Sequence, residues 1–135
     1  MTDYYILNDA GEPVPELDLL QDPAIRAQVH RLLVGAREVI AAPERFTRGW
    51  SARTPLWDEC SVNDPMASSW CSIGALYLIC RKEKIPGVAF MVAEKLLRQR
   101  AGASAEVICF ASLSDSLPHA EVLAIFDAAI AETAP

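Results

Sequence analysis

The stretch DPAIRAQVHRLLVGAREVIAAP, residues 22–43, decides how this chain folds. Its apolar residues recur at spacings of three and four, which places them in one stripe along an α-helix. Asp22 is a residue type that caps helix N-termini, Pro23 suits the first helical position, and Pro43 stops the helix. We therefore predict a first helix between the two prolines. Its apolar stripe faces a core, and His30 lies on the opposite, solvated face.

A second stretch, DPMASSWCSIGALYLICRK at residues 64–82, repeats the Asp-Pro start signal. The helix predicted to follow is apolar nearly all round, a pattern typical of a helix at the centre of a fold. Gly74 lowers the stability of such a helix relative to Ala. We expect that a neighbouring helix approaches closely at this glycine.

The remaining pattern predicts a mainly α (α+β) domain, with about four helices packed around a central apolar helix. We predict a short N-terminal strand or hairpin at residues 4–7 and a long ordered loop at residues 43–64. Two more helices are predicted at residues 86–102 and 117–133, and a short strand is predicted at residues 107–110. The chain of 135 residues has the usual length of one domain. We interpret residues 1–21 as a strand or extended arm and residues 22–135 as the helical core.

Composition restricts the class of protein. With 52% hydrophobic and 22% charged residues, the chain is too apolar to be disordered. No apolar run approaches the roughly 18 residues that span a bilayer, and Asp3 stands where a signal peptide would carry a basic residue. These features predict a cytoplasmic protein that does not enter a membrane.

The four cysteines are sparse, and none forms a C-x-x-C pair. This spacing favours free thiols in a reducing compartment over a disulfide framework or a zinc site. The sequence therefore gives no reason to expect a metal or another cofactor.

Charge is distributed unevenly along the chain, although the net charge is −6. Residues 1–22 and 103–135 contain acidic residues but no lysine or arginine, so all twelve lysines and arginines lie between residues 23 and 102. This distribution argues against a partner that is duplex nucleic acid. The same distribution is compatible with a local basic site that binds a smaller anion.

The segment Trp70-Cys71-Ser72-Ile73-Gly74-Ala75-Leu76 resembles the W-C-x-x-G-A-L core of an uncharacterised domain family of small bacterial and bacteriophage proteins. The resemblance covers roughly residues 24–132. Where such domains carry an Asn-Asp pair and a Thr cap before the last helix, this chain has Ser114-Asp115 and Pro118-His119. The resemblance implies an α-rich fold and a bacterial or phage context, and it implies no activity.

One candidate site is catalytic. A cysteine after a tryptophan near a helix start, with a histidine and an acid downstream, has the chain order of a cysteine hydrolase. Cys71 would be the nucleophile, His119 the base and Asp115 the orienting acid. The competing interpretation is that Cys71 is a small buried apolar residue of the helix.

The other candidate site lies in the loop RFTRGWSART, residues 45–54. Guanidinium groups clamp phosphates, and aromatic rings stack on bases, so this composition suits a nucleotide-like ligand. The residues that would bind it are Arg45, Phe46, Arg48, Trp50 and Arg53. The competing interpretation is that the aromatic residues anchor the loop on the core while the arginines pair with nearby acids.

A third hypothesis is that the chain docks a protein partner through charge complementarity or strand addition. No acid-base pair, metal set or nucleotide loop in the sequence is specific enough to favour catalysis. We therefore predict a non-enzymatic binding protein that takes a protein partner or a nucleotide-like ligand, with a role in phage–host interaction or defence. The cysteine hydrolase is the alternative, and the pattern carries no signal for an oligomeric state.

Overall fold

The computed structural model describes residues 6–7, 13–14, 16–102 and 110–135. Its helices are α1 (Pro23–Val39), α2 (Ser72–Glu83), α3 (Gly87–Arg100), α4 (Phe110–Ser114) and α5 (His119–Thr133), with 3₁₀ helices at Glu16–Gln21 and Pro43–Arg45. Its strands are β1 (Ile6–Leu7), β2 (Pro13–Val14), β3 (Ala52–Arg53), β4 (Glu59–Cys60) and β5 (Ser69–Trp70). The predicted mainly α (α+β) class is confirmed.

Helix α1 begins as its sequence predicts. The Asp22 carboxylate accepts a hydrogen bond from the backbone N–H of Ala24 at 2.9 Å, and Pro23 occupies the first helical position. The apolar stripe is buried at Val29, Leu32, Leu33, Ala36 and Val39. Helix α1 packs against α2, α3 and α5, so it occupies the central place that we predicted for the 64–82 helix.

The polar face of α1 is not simply solvated. Arg26 donates to two carbonyl groups at the end of α5, at 2.6 and 3.0 Å. His30 Nδ1 lies 3.1 Å from Thr133 Oγ1, and Arg37 Nε donates to Asp127 Oδ1 at 2.7 Å. The polar face of α1, which we predicted to be exposed to solvent, therefore contacts α5.

The second helix begins later than predicted, at Ser72 rather than after Asp64. Asp64 Oδ1 instead accepts a hydrogen bond from the N–H of Met66 at 2.8 Å, within a turn. In a helix cap and in this kind of turn alike, the Asp side chain accepts a hydrogen bond from a backbone N–H nearby in the chain. The Asp-Pro pair is therefore compatible with either structure.

The region predicted as a long loop contains part of a small sheet. Strand β3 pairs antiparallel with both β4 and β5, and the strand order is β4–β3–β5. Ala52 lies opposite Cys60 on one side and Trp70 on the other. Because each strand has two residues, no alternation of polar and apolar residues is long enough to reveal it.

Of the predicted alternatives of a short N-terminal strand or a hairpin, the structure has the hairpin, since β1 pairs antiparallel with β2 in the register Ile6 to Val14. Helices α3 and α5 agree with the predicted helices at 86–102 and 117–133. Of the strand predicted at 107–110, residues 107–109 lie outside the described residues, and Phe110 is the buried first residue of α4.

Candidate functional site

The turn between β3 and β4 presents large apolar side chains to solvent. The N–H of Thr54 donates to the carbonyl of Asp58, and the N–H of Trp57 donates to the carbonyl of Thr54, both at 2.9 Å. Trp57 has a φ of 70°, in the left-handed region that favours glycine. The turn therefore holds a bulky residue in a conformation that costs free energy.

The side chain of Arg53 stabilises this turn through several contacts, which we call the Arg53 brace. Its Nε donates to Thr47 Oγ1 at 3.1 Å, while its two terminal nitrogens donate to the carbonyls of Trp57 and Arg48 at 3.3 and 3.4 Å. The guanidinium carbon lies 5.2 Å from the centre of the Trp57 ring. One side chain thus fixes both the backbone and the ring at residue 57.

The W-C-x-x-G segment joins the sheet to α2. The buried Trp70 donates from Nε1 to the carbonyl of Val62 at 2.9 Å. Cys71 caps α2, with its sulfur accepting the N–H of Gly74 at 3.2 Å. A Cβ at Gly74 would overlap the carbonyl oxygen of Ser51 and lie 2.8 Å from the carbonyl carbon. The close approach predicted at Gly74 exists, but its partner is the backbone beside β3 and not a helix.

Three large apolar side chains lie exposed at one end of the sheet. Leu56 is 85% exposed, and Trp57 and Met66 are each 62% exposed. The turn that carries Met66 leads into Ser68, whose N–H donates to the carbonyl of Arg53 at 2.9 Å. Because Arg53 ends β3, Met66 and the β3–β4 turn lie at the same end of the sheet. We call Leu56, Trp57 and Met66 the tip surface.

A cleft of about 560 Å³ lies beside the sheet, against α2. Its lining includes Trp50, Glu59, Cys60, Ser61, Tyr77 and Arg81. The rings of Trp50 and Tyr77 are 49% and 44% exposed. The cleft therefore combines accessible aromatic rings with groups of both charges.

The residues of the predicted nucleotide-like site differ in their contacts. The guanidinium carbon of Arg45 lies 5.6 Å from the centre of the Trp70 ring, and Arg48 Nη2 donates to the carbonyl of Leu117 at 2.6 Å. Arg53 makes the internal bonds described above.

Phe46 is buried, with the Arg48 guanidinium 4.8 Å from its ring. Trp50 lines the cleft. Thus the three guanidinium groups contact different parts of the protein, and Trp50 is exposed whereas Phe46 is buried.

The three candidate catalytic residues have other hydrogen-bond partners. His119 Nε2 donates to the carbonyl of Ile40 at 2.7 Å, and Asp115 accepts the N–H of Gly49 at 3.3 Å. In the part of the chain that the structure describes, no hydrogen bond joins Cys71 to His119.

Burial raises the pKa of the Cys71 thiol more than the nearby N–H groups of Gly74 and Ile73 lower it. The negative charge of Asp115 raises this pKa further. Because the thiolate is the nucleophilic form, these effects oppose activation of Cys71.

Sequence reasoning missed the two surfaces that the fold creates. The 64–82 helix was predicted to be apolar nearly all round, yet Tyr77 and Arg81 are four residues apart and share a helical face. This spacing is a signal that could have been used. Nothing comparable marks Leu56 or Met66, whose exposure follows from the turns around them.

Comparisons with protein-family models, curated proteins and solved structures find no match to this chain. Within the described ranges, no helix combines the length and apolar character needed to cross a membrane. The same part of the chain contains no group of three or more His, Cys, Asp or Glu side chains placed to hold a metal ion. The geometry of the tip surface and of the cleft therefore carries the functional argument.

Proposed function

We propose that this chain is a non-enzymatic binding protein that docks a protein partner through the tip surface. The observation that carries the proposal is the exposure of Leu56, Trp57 and Met66 at one end of the sheet. Exposed apolar residues that cluster mark interaction sites more often than residues that are exposed singly. Tryptophan is also among the residues that contribute most to binding free energy at protein interfaces.

The strained turn supports this proposal. A non-glycine residue in the left-handed region costs roughly 1–2 kcal/mol. Arg53 holds Trp57 in this conformation through its bond to the Trp57 carbonyl and through the ring contact. A side chain that is already fixed loses less entropy when a partner covers it. Preorganisation of this kind favours binding and contributes nothing to the helical core.

The charges beside the tip surface define the partner's chemistry. Asp58 adjoins Trp57, and Asp64 lies two residues before Met66. Neither carboxylate makes an ion pair with any residue that the structure describes. The Arg53 guanidinium instead donates its hydrogen bonds to Thr47 and to two backbone carbonyls. We infer a partner with an apolar pocket that accepts Trp57 and Leu56, rimmed by lysine or arginine side chains that pair with these acids.

A bacterial or phage cytoplasmic context, with a role in phage–host interaction or defence, remains part of this proposal. Its support is the resemblance of residues 70–76 to a small bacterial and phage domain family. The cysteine hydrolase has no comparable support, because burial raises the pKa of Cys71 and His119 is bonded to the Ile40 carbonyl.

Site-specific photo-crosslinking tests the proposal. A photoreactive p-benzoylphenylalanine replaces Leu56 in one variant and Ala124, an exposed residue of α5, in a matched control. Both variants are expressed in the organism that encodes the chain. We expect one protein to be captured from position 56 and not from position 124.

The captured protein is then purified, and its affinity is measured by calorimetry. Trp57→Ala should lower the affinity at least about tenfold, whereas Trp50→Ala, the same change at an exposed tryptophan of the cleft, should not. Equal capture from positions 56 and 124, or full affinity of Trp57→Ala, would contradict the proposal.

A further inference from the structure

The cleft beside α2 is separate from the tip surface and has its own chemistry. Its volume of about 560 Å³ lies within the range typical of small-molecule sites. One wall comes from the chain around β3 and β4, and the other comes from the exposed face of α2. The two walls are joined where the backbone of Ser51 lies against Gly74 of α2.

The two aromatic residues of the cleft are positioned in different ways. The Tyr77 ring stacks on Phe90, with ring centres 4.6 Å apart and an angle of 15° between the planes. At Trp50 the flanking backbone is anchored, because the N–H of Gly49 donates to Asp115 and the carbonyl of Ser51 accepts the N–H of Cys71 at 3.1 Å. Both residues are partly exposed, so each offers aromatic surface for stacking.

The charged groups of the cleft are free to bind a ligand. Arg81 Nη1 donates to Asn63 Oδ1 at 3.2 Å, which orients the guanidinium without neutralising it. Among the residues that the structure describes, neither Arg81 nor Glu59 has an ion-pair partner. The guanidinium can bind an anion, while the Glu59 carboxylate and the Ser61 hydroxyl can accept N–H donors.

We propose that this cleft binds a nucleoside monophosphate whose base carries an amino group. The base stacks between Trp50 and Tyr77, the phosphate pairs with Arg81, and the amino group donates to Glu59 or Ser61. This assignment differs from the site predicted in the 45–54 loop, since Trp50 is the shared residue and Arg81 supplies the cation. It is also independent of the tip surface.

Isothermal titration calorimetry with AMP tests this assignment. Adenosine lacks the anion, UMP lacks the amino group, and inorganic phosphate lacks the ring. Since each lacks one recognised element, each should bind at least about tenfold more weakly than AMP, a difference of 1.4 kcal/mol. AMP affinity should also fall as salt concentration rises, because salt screens the attraction between guanidinium and phosphate.

Variants locate the site. Arg81→Ala and Trp50→Ala should each weaken AMP binding about tenfold or more, whereas Arg45→Ala and Trp57→Ala should leave it unchanged. The Trp57 variant keeps the two proposals separable, because it removes the tip surface and leaves the cleft intact.

Three results would overturn the assignment. The first is the absence of any binding heat with AMP, CMP and GMP in the millimolar range. The second is full AMP affinity of Arg81→Ala. The third is equal affinity for AMP and adenosine, or for AMP and UMP, since these pairs isolate the phosphate and the amino group.

Discussion

The helical core and the small sheet are held together in different ways. Around α1 the helices bury continuous apolar faces, with Leu32, Leu33, Leu96 and Phe126 fully inaccessible to solvent. The sheet has strands of two residues each, and it depends on single contacts such as the Arg53 brace and the approach of Ser51 to Gly74. Many small contributions specify the core, whereas a few individual contacts hold the small sheet.

The same substitution in the two regions tests this difference most strongly. Leu32→Ala removes a fully buried side chain and leaves a cavity, so it should lower the free energy of unfolding by about 2–5 kcal/mol. Leu56→Ala removes an exposed side chain and should change it by less than about 0.5 kcal/mol. Urea denaturation followed by circular dichroism measures both values. Similar losses from the two variants would show that the regions do not differ as described.

A glycine pair tests the junction between the regions. In Gly74→Ala the new Cβ overlaps the backbone of Ser51, which cannot move aside as a side chain can. The variant should lose about 3 kcal/mol, the upper end of the range for overpacking. Gly87→Ala is the control, because a Cβ there meets no atom within 4 Å beyond its own stretch of helix. Removing this glycine should stabilise the chain by about 0.4–1 kcal/mol. A Gly74→Ala variant as stable as the parent would remove the close-packing argument.

The brace is tested at Arg53. Arg53→Ala should lower the free energy of unfolding by about 1–2 kcal/mol, because it leaves the buried Thr47 hydroxyl and two carbonyls without this donor. Arg53→Lys should not restore the loss, since an ammonium group does not have the geometry of a guanidinium fork. Hydrogen exchange at the amides of Thr54 and Trp57 should accelerate in both variants. Restoration by lysine would show that charge, and not geometry, stabilises the turn.

Alkaline pH tests the interpretation of Cys71 as a buried cap. Burial raises its pKa in the folded chain, while the unfolded thiol titrates near about 8.5. Above that pH the unfolded chain releases its proton and the folded chain retains it, so the free energy of unfolding falls until the folded thiol also ionises.

Cys71→Ser is the matched variant, because serine caps helices and does not titrate in this range. It should reduce the slope of the free energy of unfolding against pH above about 8.5. Parallel curves for the parent and Cys71→Ser would contradict the raised pKa.

The smallest change in stability is expected at the tip surface. Trp57→Gly loses the contact with Arg53 but relieves the left-handed strain, so the stability should stay constant or rise by up to about 1 kcal/mol. The same variant should lose the captured partner. Marked destabilisation with unchanged partner binding would make Trp57 a structural residue and refute its role in docking.

The sequence predicted well those parts of the fold that repeat. The period of α1 predicted its buried stripe, and Asp22 marked its start. The same Asp-Pro signal failed at Asp64 because no apolar period follows Pro65, and Ser69 and Trp70 form a strand instead. Local patterns specify helices, but they do not distinguish a helix cap from a turn when the following residues lack a period.

The candidate sites were harder to predict because they depend on which groups meet in space. The three acceptors of Arg53 come from separate residues, and their convergence leaves that guanidinium bonded within the protein. Arg81 was one of several basic residues near the end of a helix, and only its position beside Trp50 distinguishes it. Both Trp50 and Phe46 belonged to the predicted site, and the local sequence does not show that Trp50 is exposed whereas Phe46 is buried.

All three tryptophans of the chain lie in or beside the sheet, in three different environments. Trp57 is on the tip surface, Trp50 is in the cleft, and Trp70 is buried at the junction with α2. Intrinsic fluorescence therefore reports on the sheet and its surroundings, while far-ultraviolet dichroism reports mainly on the helices. If the sheet unfolds before the helices do, the unfolding transitions followed by fluorescence and by dichroism will not coincide. Comparing the two transitions therefore tests whether the chain unfolds in one cooperative step.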